Sequence, residues 1–539
     1  MPTALPPVRG VALDDAVTQV LGPDARLRDA QADALRGLAD RDTLLVARTG
    51  AGKSAVYAIA TLVAARLTLV VSPLVALQRD QAQSLREVGL RAATVSSAVS
   101  RGRQAQALDD AAHGRLDVLL LAPEQLHRGP VVEALRTADV GLVVVDEAHC
   151  VSEWGHDFRP DYLHVASAVR ALGGPRVLAM TATASAHARD EIVERLGLTD
   201  PRVLVHDADR PNIWLGATPA STAADRDARV VEEVLRTEGA VIVYARTRAH
   251  TTELADLLDR AGRPALVYHA GLAAKERARV QDTFLHGRHD TVVATSAFGM
   301  GVDRADVRAV VHAGPPPSLD AYYQEVGRAG RDEQPARAVV VHRPDDTALN
   351  RFLRSGGGAK PGTLRAVLAA TSHGPADRAT VAERAGLGAR TVSRALAELA
   401  AAGAVHDDDG RWVATGTSVA DAVAAVTEAR ERRATLDASR VELVRTYTDT
   451  TDCRRRLLLE LLGEVRPDPC GACDSCDRGT SAPARSTGVH PGQAVRHEQF
   501  GDGTVSVVEA DRLTVLFEEH GYVTLDAAVA LDSELLTVR

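Results

Sequence analysis

An apolar strand, Thr43-Leu44-Leu45-Val46, runs into Ala47-Arg48-Thr49-Gly50-Ala51-Gly52-Lys53-Ser54 and then into an Ala-rich helical stretch. This strand, loop and helix make a phosphate cradle at the end of an α/β strand. Glycines at 50 and 52 let consecutive backbone N–H groups, from Thr49 through Ser54, point inward at phosphates. Lys53 bridges the outer phosphates and Ser54 offers a hydroxyl to magnesium. The usual first glycine is Ala47. Only Lys53, Lys275 and Lys360 are lysines among 63 basic residues. A compact ammonium fits between phosphates where a planar guanidinium does not, which gives Lys53 a chemical reason to be lysine.

A second motif supports the first. Leu142-Val143-Val144-Val145-Asp146-Glu147-Ala148-His149 is a buried strand ending in two carboxylates. Asp146 is placed to hold magnesium through a water, and Glu147 to polarise an attacking water. Alone, a strand ending in Asp-Glu is as readily a solvated strand end; downstream of Lys53 it reads as an ATPase.

The Asp-Glu-Ala-His form resembles superfamily-two helicases, and other stretches fall where that resemblance puts them. Arg28-x-x-Gln31 lies where those proteins read adenine. Val70 to Gln81 resembles a strand, loop and helix that touches the DNA backbone, and Ala179 to Ala184 resembles the motif that couples hydrolysis to strand movement. Directly after the acidic box comes Cys150-Val151-Ser152-Glu153-Trp154-Gly155-His156-Asp157-Phe158-Arg159-Pro160-Asp161-Tyr162. The chain has 3 Trp, 8 Tyr and 6 Phe, so Trp154, Phe158 and Tyr162 within one loop are a concentration. Rings stack on unpaired bases and Arg159 pairs with phosphate or supports the loop. The alternative is a small satellite core, to which Trp154 or Tyr162 belongs in part; His156 and Phe158 are the preferred contacts. With this loop the resemblance narrows to the RecQ DNA helicases, over roughly residues 15–350. It implies a DNA sensor beside Glu147 and strand separation in the 3'-to-5' direction.

After Asp209-Arg210-Pro211-Asn212-Ile213 a second alternation of strands and helices begins, without a phosphate loop: Val241 to Ala245, Ala265 to Leu272, and Thr291 to Asp303. Gln324-Glu325-Val326-Gly327-Arg328-Ala329-Gly330-Arg331 carries two guanidiniums one helical turn apart, able to reach across a cleft to a phosphate in transfer. The plain alternative is a solvated helix face. ATP is therefore expected between two lobes, with Lys53, Ser54, Asp146 and Glu147 on one wall and Arg328, Arg331 and Asp303 on the other.

Beyond this point, Ser355 to Gly362 reads as a flexible linker. Ala379 to Leu387 and Ala389 to Ala402 read as two helices around a glycine turn, followed by a Val405 to Val413 hairpin with Asp409-Gly410 at its tip. This is the pattern of a winged helix, with Arg390 and Arg394 facing out from the recognition helix toward DNA phosphate. A spacer or protein-contact role is the alternative. The tip, His406-Asp407-Asp408-Asp409, is acidic and ill suited to splitting a duplex. Cys453, Cys470, Cys473 and Cys476 have zinc-ligand spacing, and the RecQ resemblance includes such a module. In the usual family order it precedes the winged helix; here it follows. After Thr480 to Thr487, short alternating strands from Val495 to Leu525 resemble the Tudor-like end of UvrD-type helicases, which suggests a protein partner such as RNA polymerase. A plain SH3-like barrel without a partner is the alternative.

Length, 45% apolar and 25% charged residues give a multi-domain globular chain. A net charge of -9 confines DNA contact to local patches. The N-terminus lacks an export signal and no apolar stretch spans a bilayer, so a cytoplasmic protein without membrane contact is expected. The expected architecture is α/β: RecA-like lobes over 1–207 and 208–354, linker and winged helix over 355–418, a helical zinc module over 419–480 and a Tudor/SH3-like β domain over 488–539. The expected cofactors are ATP, Mg2+ and Zn2+, and the partner is single-stranded and tailed duplex DNA.

Overall fold

The computed structural model contains two parallel sheets whose central strands are buried on both faces, while the edge strand Arg202–Val205 of the first is largely exposed. It describes residues 10–539 apart from 74, 97, 153–158, 300–301, 347–357, 409, 482, 484–487, 510 and 533–534. The first lobe contains β1 (Thr43–Val46), β2 (Leu67–Val71), β3 (Ala92–Val95), β4 (Val118–Leu121), β5 (Val140–Val145), β6 (Arg176–Thr181) and β7 (Arg202–Val205). Their order is β3-β4-β2-β5-β6-β1-β7, all parallel. Near-continuous apolar runs such as Leu142 to Val145 suit this position, because helices cover both faces. One consequence positions the site: β5, β6 and β1 are neighbours, so the segments leaving their C-terminal ends meet.

The second lobe contains β8 (Ile213–Pro219), β9 (Ala240–Ala245), β10 (Leu266–Tyr268), β11 (Thr291–Ala294), β12 (Val307–Ala313) and β13 (Ala336–His342), in the parallel order β10-β11-β9-β12-β13-β8. The strand expected from Ala265 to Leu272 is shorter than its apolar pattern, since Gly271 and Leu272 already belong to a turn.

Helices Pro361–Ser372, Arg378–Ala385 and Ala389–Ala401 pack with a three-stranded antiparallel sheet that includes the hairpin Val405–Asp408 and Arg411–Ala414. The linker is shorter than expected. Ala359 is buried, its N–H donates to Glu398 and its carbonyl accepts from Arg430 (2.8 Å), while Pro361 and Gly362 open a helix, the first-turn position that tolerates proline. Residues 355–357 of that stretch lie outside the described residues.

Helix Val419–Asp449, 31 residues long, leads to helix Arg454–Leu461 and the cysteines. Leu443, Val444, Tyr447 and Leu457 to Leu459 join the same apolar core as β8, β12 and β13, so this module is continuous with the second lobe. Arg454, Arg455 and Arg456 are all buried. Arg454 pairs bidentately with Asp474, and Asp474 in turn accepts the N–H of Ala217 in β8 (3.2 Å). Trp214 of β8 donates to Asp477 at 2.8 Å.

The chain ends in a five-stranded antiparallel sheet containing Ala494–His497, Gly501–Val508, Arg512–Phe517, Gly521–Asp526 and Leu536–Val538. The Val495 to Val505 stretch is two strands joined by a turn, and Leu536–Val538, which the alternation did not reveal, pairs with the first of them. The sheet is packed onto the long helix. A side chain at Gly521 would meet the Ser439 hydroxyl at 2.4 Å, and the Val508 N–H donates to Glu460 at 2.8 Å.

Candidate active site and zinc centre

The loop after β1 wraps around backbone-directed side chains. Gly50 and Gly52 have φ of 81° and 71°, which glycine adopts without strain. The Gln31 amide donates to the Gly52 carbonyl at 3.0 Å, and a Cβ at Gly52 would sit 2.6 Å from that amide nitrogen. Arg28 donates to the Gly50 carbonyl at 2.5 Å. Thus Arg28 and Gln31 brace the loop from behind. Lys53 donates to the carbonyls of Ala47 (2.7 Å) and Arg48 (3.3 Å) and opens the following helix, Lys53–Ala64, with Ser54 exposed beside it. Burial lowers the Lys53 ammonium below its ordinary range, opposed by the charges of Glu147 and Asp146, with Arg331 adding to the lowering.

The two carboxylates leave β5 in different states. Asp146 is buried and accepts from Gln81 (3.0 Å) and from the Glu147 N–H (3.0 Å). Burial, then the charge of Glu147, pushes it up to about 6. Glu147 has φ of 50°, a left-handed turn that swings its side chain off the strand toward the cleft. Burial would raise its carboxyl, but His149, Lys53 and Arg328 hold it below the usual range. His149 Nδ1 lies 3.3 Å from Glu147 and 3.0 Å from the Thr181 hydroxyl, so β5 and β6 are joined directly beneath the site. The sequence places Gln81 in a stretch that resembles a DNA-backbone contact; the structure joins it to Asp146.

Facing this wall is the turn Gly327 to Arg331. These residues follow helix Leu319–Val326 and do not lie on it, contrary to the helical spacing expected for the two arginines: the helix ends at Val326 and the following residues form hydrogen-bonded turns. Arg328 and Arg331 still reach the first lobe, where their charges act on Glu147 and Lys53 respectively. Arg328 is buried; Arg331 pairs with Asp303 at 2.5 Å, placing Asp303 behind the arginine. The lobes touch through Thr49, whose hydroxyl donates to the Gly327 carbonyl at 3.2 Å. Beside this contact, a cavity of about 500 Å³ opens between the lobes, lined by Arg28, Ala47, Arg48, Ala51, Asn212 and Glu333 among others.

Of the aromatic loop, Trp154, His156 and Phe158 lie outside the described residues. Tyr162 is fully buried and donates to the Asp146 carbonyl at 3.0 Å, so it ties the loop's far end to the acidic box. Arg159 donates to the Pro73 carbonyl at 2.9 Å, a supporting contact with the segment after β2. Cys150 is a core residue. Arg390 and Arg394 are exposed on helix Ala389–Ala401.

The sulfur atoms of Cys453, Cys470, Cys473 and Cys476 all lie within 4.8 Å of one another. Four soft thiolates closing on one point suit tetrahedral zinc, whose bonds of about 2.3 Å place sulfurs a little under 4 Å apart. Cys470 and Cys476 are 3.9 Å apart, and backbone N–H groups of Cys470, Ala472 and Cys476 point at the sulfurs. Such N–H groups offset thiolate charge.

Residues 28–192 match the DEAD/DEAH box helicase family, 226–333 the helicase conserved C-terminal domain, and 417–477 the RecQ zinc-binding family. The ATP-dependent DNA helicase RecQ of Synechocystis is 38% identical over 338 residues, which cover 61% of this chain and 70% of that protein. The chain belongs to the RecQ family. The probable ATP-dependent DNA helicase RecS of Bacillus subtilis is 38% identical over 58% of this chain and 63% of its own length. Across four bacterial relatives the matched segment spans between 49% and 64% of their length. The fold is also that of the Mycobacterium smegmatis helicase Lhr bound to ssDNA and AMP-PNP: TM-score 0.53, 22% identity, over 79% of this chain and 62% of that one. The RecQ zinc-binding match begins at 417 and so takes in the whole long helix before the cysteines. Among the described residues no helix is long and apolar enough to cross a membrane.

Proposed function

We propose that this chain hydrolyses ATP between its lobes and uses the cycle to separate DNA strands in the 3'-to-5' direction. The observation that carries this is the meeting of Lys53, Asp146 and Glu147 with Arg328 and Arg331 across one cleft, closed by the Thr49 to Gly327 hydrogen bond. The cavity beside it has a size suited to a base and ribose, with Arg28 positioned at its wall. Lys53 and the loop N–H groups hold phosphates, Glu147 takes the proton of the attacking water, and Arg328 and Arg331 meet charge that develops in transfer. Ser54 and Asp146 are the residues that would hold magnesium, which neutralises phosphate charge when bound. Opening and closing of the cleft displaces one lobe against the other, the motion that drives a strand along.

Trp154, His156, Phe158 and Arg159 contact single-stranded DNA, while Arg390 and Arg394 contact duplex phosphate from a winged helix. The terminal sheet offers a surface for a protein partner such as RNA polymerase. Four cysteines kept as zinc ligands suit a reducing, cytoplasmic setting.

The test is strand displacement on a 3'-tailed duplex, made in DNA and in RNA. Unwinding of the DNA substrate, lost in Glu147→Gln, is the expected result. DNA-stimulated ATPase without displacement of either duplex would instead make the protein a translocase. An ATPase rate unchanged by Glu147→Gln would overturn the hydrolysis mechanism, and DNA stimulation unchanged in His156→Ala and Phe158→Ala would overturn the sensor loop.

A further inference from the structure

The interlobe linker is held by different bodies on its two sides, and the boundary falls at a single residue. His206 still belongs to the first lobe: its N–H donates to the Val46 carbonyl at 2.9 Å, continuing the pairing of β7 with β1, and its ring lies 3.3 Å from Asp33. Two residues later the allegiance has changed. The Ala208 N–H donates to Glu464 at 2.5 Å, and the Ala208 carbonyl accepts from the Tyr323 hydroxyl at 2.6 Å. Glu464 follows the helix of the zinc module, and Tyr323 lies on helix Leu319–Val326 just before the arginine turn. Ala208 itself is buried in the core shared by the second lobe and the zinc module.

Asp209, Arg210 and Asn212 are held to the same body. Asp209 accepts from Arg455 at 2.8 Å and from Arg466. Arg210 donates to the carbonyls of Gly327 (3.0 Å), Ala329 (2.6 Å) and Gly330 (2.8 Å), and Asn212 to that of Gly330 at 2.8 Å. The linker is thus welded to the turn that carries Arg328 and Arg331. Asp207, exposed between His206 and Ala208, shows no backbone hydrogen bond to either body among the described residues; its carboxylate accepts the Asp209 N–H at 2.7 Å and faces the Glu464 carboxyl.

We propose that opening and closing of the cleft pivots at Asp207, and that Glu464 of the zinc module is a positioning residue for the ATPase because it fixes where the pivot ends. With Ala208 held, a rotation about Asp207 carries the arginine turn as a rigid unit toward Lys53 and Glu147. With Ala208 released, the same rotation is spread over several linker bonds, and the arginines arrive at the cleft in many geometries. The zinc module thereby acts on ATP turnover through the hinge, with no contact to the phosphates. The turnover half of this inference rests on the ATPase reading above; the clamp does not.

The experiment uses the full chain with its zinc content measured. Hydrogen exchange over residues 203–213 reads the clamp directly. The Ala208 amide is expected to exchange at least about tenfold faster in Glu464→Ala than in wild type, and close to wild type in Glu464→Gln, whose amide oxygen still accepts. Equal protection in Glu464→Ala and wild type overturns the clamp, whether or not the protein hydrolyses ATP. In steady-state ATPase assays Glu464→Ala is expected to lower kcat several-fold at unchanged KM for ATP, with recovery in Glu464→Gln; lost protection with unchanged kcat overturns the positioning role. Asp207→Pro against Asp207→Ala tests the pivot, because both variants lose the same carboxylate contacts to Asp209 and Glu464 and only proline constrains the backbone. A proline that locks φ is expected to reduce kcat about tenfold relative to the alanine variant, and equal turnover overturns the pivot.

Discussion

The Thr49 hydroxyl sits 3.2 Å from the Gly327 carbonyl, and only 2.3 Å from where a Cβ at residue 327 would lie. The phosphate loop of one lobe is therefore fitted to the absence of a side chain on the other. Gly327 has φ of -59°, so the requirement comes from the neighbour across the cleft and owes nothing to backbone freedom.

Gly327→Ala is expected to hold the cleft open and lower kcat by about tenfold, a loss of roughly 1.4 kcal/mol of transition-state stabilisation. Adding Thr49→Ala removes the clashing oxygen. A double-mutant cycle on ATPase rates should show the second substitution recovering part of the loss; strictly additive losses would mean the contact does not limit closure.

Arg328→Ala and Arg331→Ala should each cut ATP turnover by about 10³-fold or more, as for arginines that meet a transferring phosphoryl group. Binding of a fluorescent ATP analogue should change far less than turnover. A loss confined to nucleotide affinity would place them as ground-state contacts only. Because Arg331 is held by Asp303, Asp303→Ala should reproduce a fraction of the Arg331 defect.

Cys470→Ser should lose the bound zinc, and with it more than about 3 kcal/mol of stability, because metal binding and folding of such modules are coupled. The loss should reach the second lobe, since Leu215 N–H donates to the Ala472 carbonyl at 3.2 Å beside the cysteines. Elemental analysis and urea unfolding read both effects. A variant that keeps wild-type stability without zinc would show that the module stands on its apolar core alone.

The terminal sheet docks on a carboxyl that prefers to be neutral. Burial pushes Glu460 up to about 7, with Glu509 and Asp452 adding to the rise and the Val508 N–H and Arg456 opposing it. A carboxyl raised in the folded state stabilises fully below its unfolded value of about 4.3, and that stabilisation is lost as pH rises through about 7. Relative to Glu460→Gln, the wild type should lose on the order of 2 kcal/mol between about pH 5 and about pH 8. Parallel stability profiles for the two proteins would exclude Glu460 as the source.

Local sequence sufficed wherever chemistry and backbone conformation are set within a few residues. The phosphate loop needs glycines and a lysine at set spacing, the strand before Asp146 needs to be apolar because helices cover both its faces, and Cys470, Cys473 and Cys476 sit at the short intervals that let thiols converge on one metal, with a helix spanning the gap back to Cys453. Those features were legible in residues 43–54, 142–149 and 453–476 because the physics that requires them is local. Tertiary structure alone decided what depends on two distant segments meeting. Nothing near Gly327 announces Thr49, nothing near Ala208 announces Glu464, and the burial of Arg454, Arg455 and Arg456 follows from Asp474, Asp209 and Asp452, two of them far off in sequence. The terminal sheet illustrates the same limit, since its alternating strands were readable but the helix it leans on was not. Pairing across long separations leaves no periodicity in the chain, so it emerges only once packing has chosen the partners.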